Sequence, residues 1–374
     1  ARRLNLFDAV IVGLGAMLGA GIFAAVGPAA RAAGPALLIG LLLAAFVAFC
    51  NATSSAQLAA LYPESGGTYV YGSRRLGHFW GYLAGFGFVV GKLASCTAMA
   101  LTFGAYLAPG LERAAAVAAV VVLTALNLRG VQKTARATAA IVLLVVLTLA
   151  GAVAATWIGG ALEVARLIPA RPLDPRGILQ AAGLLFFAFA GYARIATLGE
   201  EVIDPARTIP RAIPLALGIA LAIYAVVLGS ALAAAGAPAL AASPAPLVTA
   251  VEAAGAPGYA PVLRAGAAVA SLGVLLSLLV GVSRTMFSMA AAADLPRWLA
   301  AVHPRFAVPH RAEALVGAIV AAVVLLADLR GAIGFSSFAV LVYYGIANAS
   351  ALTLAPHERR WPRWLAAAGV VGCG

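Results

Sequence analysis

Ten apolar stretches dominate this chain, at residues 7–26, 35–61, 79–107, 114–128, 137–158, 178–198, 212–235, 263–293, 313–326 and 333–354. A helix crosses the hydrocarbon of a bilayer with roughly 17–25 such residues, so most of these runs are long enough and the fourth and ninth are short. An eleventh run opens near residue 365. None of them shows the alternation over about ten residues that marks a transmembrane β-strand. The expectation is an all-α polytopic membrane protein. Composition supports it: of 374 residues, 63% are apolar and only 10% are charged. Soluble domains carry about 25% charged residues. A mean hydropathy of +1.01 makes water the wrong solvent for most of the surface. A soluble enzyme and a disordered chain are thereby excluded. The cysteines Cys50, Cys96 and Cys373 are odd in number and lie in apolar runs, with neither disulfide nor metal spacing. No metal and no cofactor is expected.

The net charge of +12 raises the question of nucleic acid. Cytoplasmic loops of membrane proteins are enriched in Lys and Arg, so position decides. With the N-terminus in the cytoplasm, fifteen of the 25 basic residues fall on that side and seven on the other; Lys92, Arg194 and Arg284 lie within runs. The asymmetry predicts an N-in protein, multi-pass in a lipid bilayer, and accounts for the basic excess without nucleic acid.

The first run contains G-L-G-A-M-L-G-A-G-I-F, from Gly13 to Phe23. Each helical glycine costs about 1 kcal/mol relative to alanine in water. One reading is a close helix–helix contact, since Gly15 and Gly19 form a GxxxG face. The other is a helix that unwinds at Gly19-Ala20-Gly21, exposing backbone polar groups that survive at membrane depth only inside protein or along a cavity. The sixth run has a comparable weak point, where Gly191 interrupts the aromatic stretch beginning at Phe186. Runs one and six open two five-helix halves, and an odd-numbered repeat enters the membrane from the opposite side the second time. Paired glycine-interrupted segments in corresponding positions point to the binding site of a secondary transporter.

The residues also resemble a known family. The glycine motif of run one, A-G-P-A near Gly34, Y-P-E-S-G-G-T-Y at Tyr62–Tyr69, F-A-F-A-G-Y and I-A-T-L-G-E-E in run six, and S-R-T-M-F-S-M-A followed by D-L-P at Ser283–Pro296 appear in order. This set is similar to bacterial amino acid permeases of the amino acid–polyamine–organocation superfamily. The resemblance implies a leucine-transporter-type 5+5 inverted repeat with broken helices 1 and 6. It implies a first repeat over 1–158, a second, inverted repeat over 159–356, and a cytoplasmic loop with the start of helix 11 over 357–374. The family's twelve-helix pattern makes the chain truncated after helix 10 to 11. A secondary active transporter of the bacterial cytoplasmic membrane, working by alternating access, is the implied activity.

Carried over residue by residue, the resemblance places the substrate carboxylate against Gly19, Ala20, Gly21 and Ile22, with Met17 also among the substrate-binding residues. The ammonium falls to carbonyls of Phe187, Ala188 and Ala190, with Phe189, Gly191 and Tyr192 closing one wall and Phe189 as the gate. Ordinary helix packing is the alternative for each aromatic. All thirteen carboxylates lie in loops or near the ends of runs, which favours a neutral amino acid. Antiport of basic amino acids or polyamines stands as the alternative substrate class. A channel is the alternative class of protein, although no run carries a polar pore stripe.

Coupling is the open element. Aligned with the family, Val145 falls where proton-coupled members carry a lysine. Leu272 and Gly273 fall where sodium-coupled relatives carry hydroxyls, with Ser271 nearest. Exchange of one amino acid for another therefore stands beside proton coupling. Lys92 lies about 20 Å along the third run from either end, beyond the reach of its own stem to an interface. An ionisable group at such depth is a functional candidate by default. Lys92 and Ser95 are the coupling candidates; the alternative is a lysine that fixes the third helix through carbonyls.

Overall fold

Backbone N–H and C=O groups have no water to turn to inside a bilayer, so an apolar run of spanning length closes its hydrogen bonds within itself as a helix. The computed structural model describes residues 4–18, 21–62, 66–130, 135–169, 173–196, 198 and 201–374. Its helices are α1 (Leu6–Met17), α2 (Gly21–Ala33), α3 (Leu37–Leu61), α4 (Thr68–Arg75), α5 (His78–Leu107), α6 (Glu112–Leu128), α7 (Ala135–Gly159) and α8 (Pro175–Phe189). They continue with α9 (Ala193–Ala196), α10 (Pro205–Ala242), α11 (Pro246–Ala253), α12 (Ala260–Ala291), α13 (His310–Leu326), α14 (Leu329–Leu352) and α15 (Arg363–Cys373).

Among the described residues, seven stretches are long and apolar enough to cross a membrane. They are Gly21–Leu61, His78–Leu107, Arg136–Gly159, Pro175–Ala196, Pro205–Ala242, Pro257–Ala291 and Leu329–Leu352. The difference from ten runs has a physical basis. Gly21–Leu61 contains both α2 and α3. The helices α6 and α13 have 17 residues each, about 25 Å of rise. Of the first run, α1 has 12 residues and ends at Met17, ahead of the undescribed residues 19–20.

Local chemistry sets the ends. Asn5 and Asp8 form a reciprocal capping box at the start of α1, and Asp174 and Asp328 cap α8 and α14. The seventh run extends well beyond 212–235. Pro205 opens α10 at a position that needs no N–H donor, and the helix bends at Gly236, where φ is +73°. Two short helices, α4 and α11, lie outside the ten runs. Arg75 pins α4 through a 2.7 Å ion pair with Glu358, which holds that carboxyl below its ordinary range.

Side-chain packing falls into two cores. The larger joins α1, α2, α3, α7, α8, α10 and α14; the smaller joins α5, α6, α12 and α13. Several helices contribute to both: Ala24 of α2, Leu184 and Phe187 of α8 and Ile333 of α14 belong to the smaller core, and Tyr106 of α5 and Leu263 of α12 to the larger. The seam between the cores therefore runs along α2, α5, α8, α12 and α14.

Candidate functional site

The first run is interrupted where its glycines cluster. Helix α1 ends at Met17, Leu18 caps it by donating its N–H to the Leu14 carbonyl at 2.7 Å, and α2 begins at Gly21. Gly19 and Ala20 lie outside the described residues. Met17, Gly21 and Ile22 are all buried.

The sixth run breaks more gently than unwound backbone. Helix α8 ends at Phe189, a 3-10 turn occupies Ala190–Tyr192, and α9 resumes at Ala193. The tighter turn keeps the chain coiled while shifting its hydrogen-bond register, which frees carbonyls without opening the backbone. Phe187, Ala188, Phe189, Ala190 and Tyr192 are buried, and Gly191 is half-buried.

The two interruptions touch each other. A Cβ placed on Gly21 would overlap the Ala188 Cα and lie 2.7 Å from the Ala188 Cβ. One placed on Gly191 would overlap the Ala16 carbonyl and lie 2.7 Å from the Met17 nitrogen. Glycine is needed at both positions because backbone meets backbone there. The expected carboxylate and ammonium contacts are thereby brought together.

Three tyrosines outside the expected set serve this crossing. The Tyr224 hydroxyl of α10 lies 2.7 Å from the Met17 carbonyl and 2.9 Å from the Ala188 carbonyl. The Tyr344 hydroxyl of α14 donates to the Ala190 carbonyl at 3.2 Å, and Tyr106 of α5 donates to Phe23 at 3.3 Å. Phe189 packs edge-on against Tyr224, with ring centres 5.2 Å apart, while Tyr192 stacks on Tyr344 at 5.0 Å. The Met17 and Ala188 carbonyls, in the last turns of α1 and α8, are thus met by a hydroxyl. Tyr224 left one signal in the sequence: apart from Ser230, it is the one hydrogen-bond donor among the side chains of 212–235.

Lys92 is buried in α5, its Nζ 5.9 Å from the Phe88 ring centre, within cation–π range. Among the described residues, no carboxylate lies within 4 Å of it. Ser95 is directed to α14, where its hydroxyl meets that of Ser336 at 2.7 Å. Val145 is buried in the larger core, and the Ser271 hydroxyl is spent on the Ala267 carbonyl within α12.

Two cavities lie away from the crossing. One of about 300 Å³ is lined by Leu162, Glu163, Arg166, Ala234 and neighbours, where Arg166 binds the Ala233 and Ala234 carbonyls and pairs with Glu163. The other, about 30 Å³, is enclosed by Asn127, Val280, Arg284, Val308, Glu313 and neighbours.

Seven stretches among the described residues that are long and apolar enough to cross a membrane define a multi-pass helical protein. A family model described as "Amino acid permease" matches residues 4–374, and the chain belongs to that family. It is 63% identical over 372 residues to an uncharacterized transporter of Mycobacterium tuberculosis, covering 100% of this chain and 84% of that protein. A methylthioribose transporter of Bacillus subtilis is 30% identical over 376 residues, covering 92% of this chain and 78% of the relative. A branched-chain amino acid permease of the same organism is 26% identical over 375 residues, covering 92% and 80%. The chain is accordingly a membrane transporter and not an enzyme, and its family implies an amino-acid-like substrate.

Proposed function

We propose that the protein is a secondary transporter that carries a neutral amino acid across a bacterial cytoplasmic membrane by alternating access, with its N-terminus in the cytoplasm. The proposal takes residues 1–158 and 159–356 as inverted five-helix repeats, with the broken helices as the first member of each. The observation that carries it is the meeting of the two breaks, Gly21 against Ala188 and Gly191 against Ala16. Half-helix ends that converge inside a membrane protein offer N–H groups to a carboxylate and carbonyls to an ammonium. A substrate enters this reading at the seam marked by Ala24, Leu184 and Phe187. Neutral side chains are favoured because all thirteen carboxylates lie in loops or near the ends of the apolar runs. The branched-chain permease among the relatives agrees with an apolar substrate.

Counterflow in proteoliposomes tests the proposal, with a labelled panel of leucine, valine, isoleucine, arginine, putrescine and methylthioribose. Accumulation of a neutral amino acid against its trans-loaded partner is the expected result. Accumulation of arginine or putrescine alone would move the protein to the cationic class, and dissipation without counterflow would make it a channel.

Lys92 carries the coupling part of the proposal, as the intramembrane charge that Val145 does not provide. Lys92→Met keeps the length and removes the charge. Net uptake should lose its pH dependence while exchange persists. Unchanged transport in both assays would remove Lys92 from the mechanism, and loss of both with normal folding would make it structural.

A further inference from the structure

Two carbonyls, one near the end of each broken helix, converge on one hydroxyl. The Tyr224 oxygen lies 2.7 Å from the Met17 oxygen and 2.9 Å from the Ala188 oxygen. A hydroxyl has a single hydrogen, so the two acceptors share it. Met17 closes α1 and Ala188 is the next-to-last residue of α8, so both carbonyls belong to last turns, which lack intrahelical donors. All three residues are buried. The Tyr224 ring is braced edge-on by Phe189, which fixes where the hydroxyl points.

We infer that the Tyr224 hydroxyl stands in for the substrate's ammonium in the empty carrier, satisfying both helix-end carbonyls until an amino acid arrives and takes over the Ala188 carbonyl. The inference rests on the transport reading above and adds a positioning residue to it. Its consequence is kinetic. An empty site with two orphaned carbonyls at membrane depth is costly, because no water replaces the lost donor. The hydroxyl removes that cost, so the unloaded carrier can reorient and complete a net transport cycle. Without it, the empty carrier has two unmet carbonyls and the loaded carrier only one, so the balance shifts from net transport towards exchange. An unloaded site of higher free energy also binds substrate more tightly.

Tyr224→Phe deletes one oxygen and keeps the ring against Phe189. In proteoliposomes with labelled leucine, exchange should persist within about twofold while net uptake into empty vesicles falls about tenfold or more. The half-saturating leucine concentration should fall as well. Equal loss of both fluxes, or unchanged net uptake, would overturn the inference. A readout without substrate separates this from the transport reading. Hydrogen–deuterium exchange of residues 14–26 and 184–196 should accelerate together in the ligand-free variant, and unaltered exchange overturns the inference whatever transport does. If the wild type carries nothing in the panel, the transport reading fails while hydrogen exchange still decides what the hydroxyl holds. The wild-type background supplies another test: the 19F resonance of 3-fluorotyrosine at position 224 should shift on saturation with leucine. An unmoved resonance with leucine bound overturns the inference.

Discussion

The two helix breaks lie against each other, yet they are built from opposite materials. Around the first, between Met17 and Gly21, the chain strips away side chains: Gly13, Gly15 and Gly21 each face a neighbour that leaves no room for a Cβ. Around the second, from Phe186 to Tyr192, the chain is aromatic, and tyrosines of α10 and α14 supply donors to its carbonyls. Close approach predominates at the first, which shares the Tyr224 hydroxyl through Met17, and hydrogen bonds from the surrounding helices predominate at the second. Their contact combines both devices: a glycine of each half meets the backbone of the other. The difference teaches that an interruption inside a helical bundle can be stabilised by removing bulk or by adding hydroxyls, and the two halves weight these devices differently.

The largest expected effect tests the bulk-free side. Gly21→Val should abolish uptake while leaving membrane insertion intact, because the Ala188 backbone, unlike a side chain, cannot rotate away. Uptake assayed alongside the yield of monodisperse, detergent-solubilised protein checks it. Wild-type uptake by this variant would remove the first break from the site. Gly191→Ala is the reciprocal change, pressing a methyl group into the Ala16 carbonyl. A fall in transport of about tenfold is expected, the equivalent of a typical overpacking cost of ~1–3 kcal/mol. Equal tolerance of alanine at both glycines would break the comparison.

Gly13→Ala sharpens it. The obstacle there is the end of a flexible side chain: the added methyl would overlap Ile195 Cδ1 and lie 2.7 Å from its Cγ1. Transport should fall only a few-fold, and Ile195→Val should restore most of it by trimming the clashing carbon. Failure of the double variant to recover would mean that Gly13 is required for its backbone rather than for the space it leaves.

Much of this was legible in the sequence, and what escaped has identifiable causes. Hydrophobic length located the helices closely: the third run, read as 79–107, is observed as His78–Leu107. In run one, α1 ends at Met17 and α2 begins at Gly21, on either side of the glycine cluster, and in run six a 3-10 turn falls at Gly191. Windows of bilayer length passed over α4 and α11, which are eight residues each. They also cut off the start of α10, where Arg207 and Arg211 lower the hydropathy. Tyr224 escaped for a different reason. A tyrosine in an apolar run reads as packing until the backbone it reaches is known, and its two acceptors lie 207 and 36 positions away. Such a pairing is a property of the crossing and leaves no local pattern. The second break was expected to be open backbone and is a 3-10 turn, because sequence reveals where helix propensity fails but not what neighbouring hydroxyls restore.

The smallest expected effect belongs to Tyr344→Phe, on the hydroxyl-supported side alone. Tyr344 offers one 3.2 Å hydrogen bond to the Ala190 carbonyl, whereas Tyr224 serves two carbonyls at shorter distances. Its ring is held from three directions: stacked on Tyr192 at 5.0 Å, and edge-on to Phe186 at 5.9 Å and to Tyr343 at 5.2 Å. Phenylalanine preserves all three contacts and removes a single oxygen. A long, single hydrogen bond contributes about 1 kcal/mol, which corresponds to a drop of about 2–4 °C in apparent Tm for a sizeable chain. Thermal unfolding in detergent should register that shift, with exchange and net uptake lowered together by no more than a few-fold. The joint response is the discriminating feature. Tyr344 touches only the second break, so its loss loosens one half without favouring the loaded carrier over the empty one. A split between exchange and net uptake as large as that expected of Tyr224→Phe would show that any hydroxyl at the crossing sets the fate of the empty carrier, and the special place given to the shared donor would be lost.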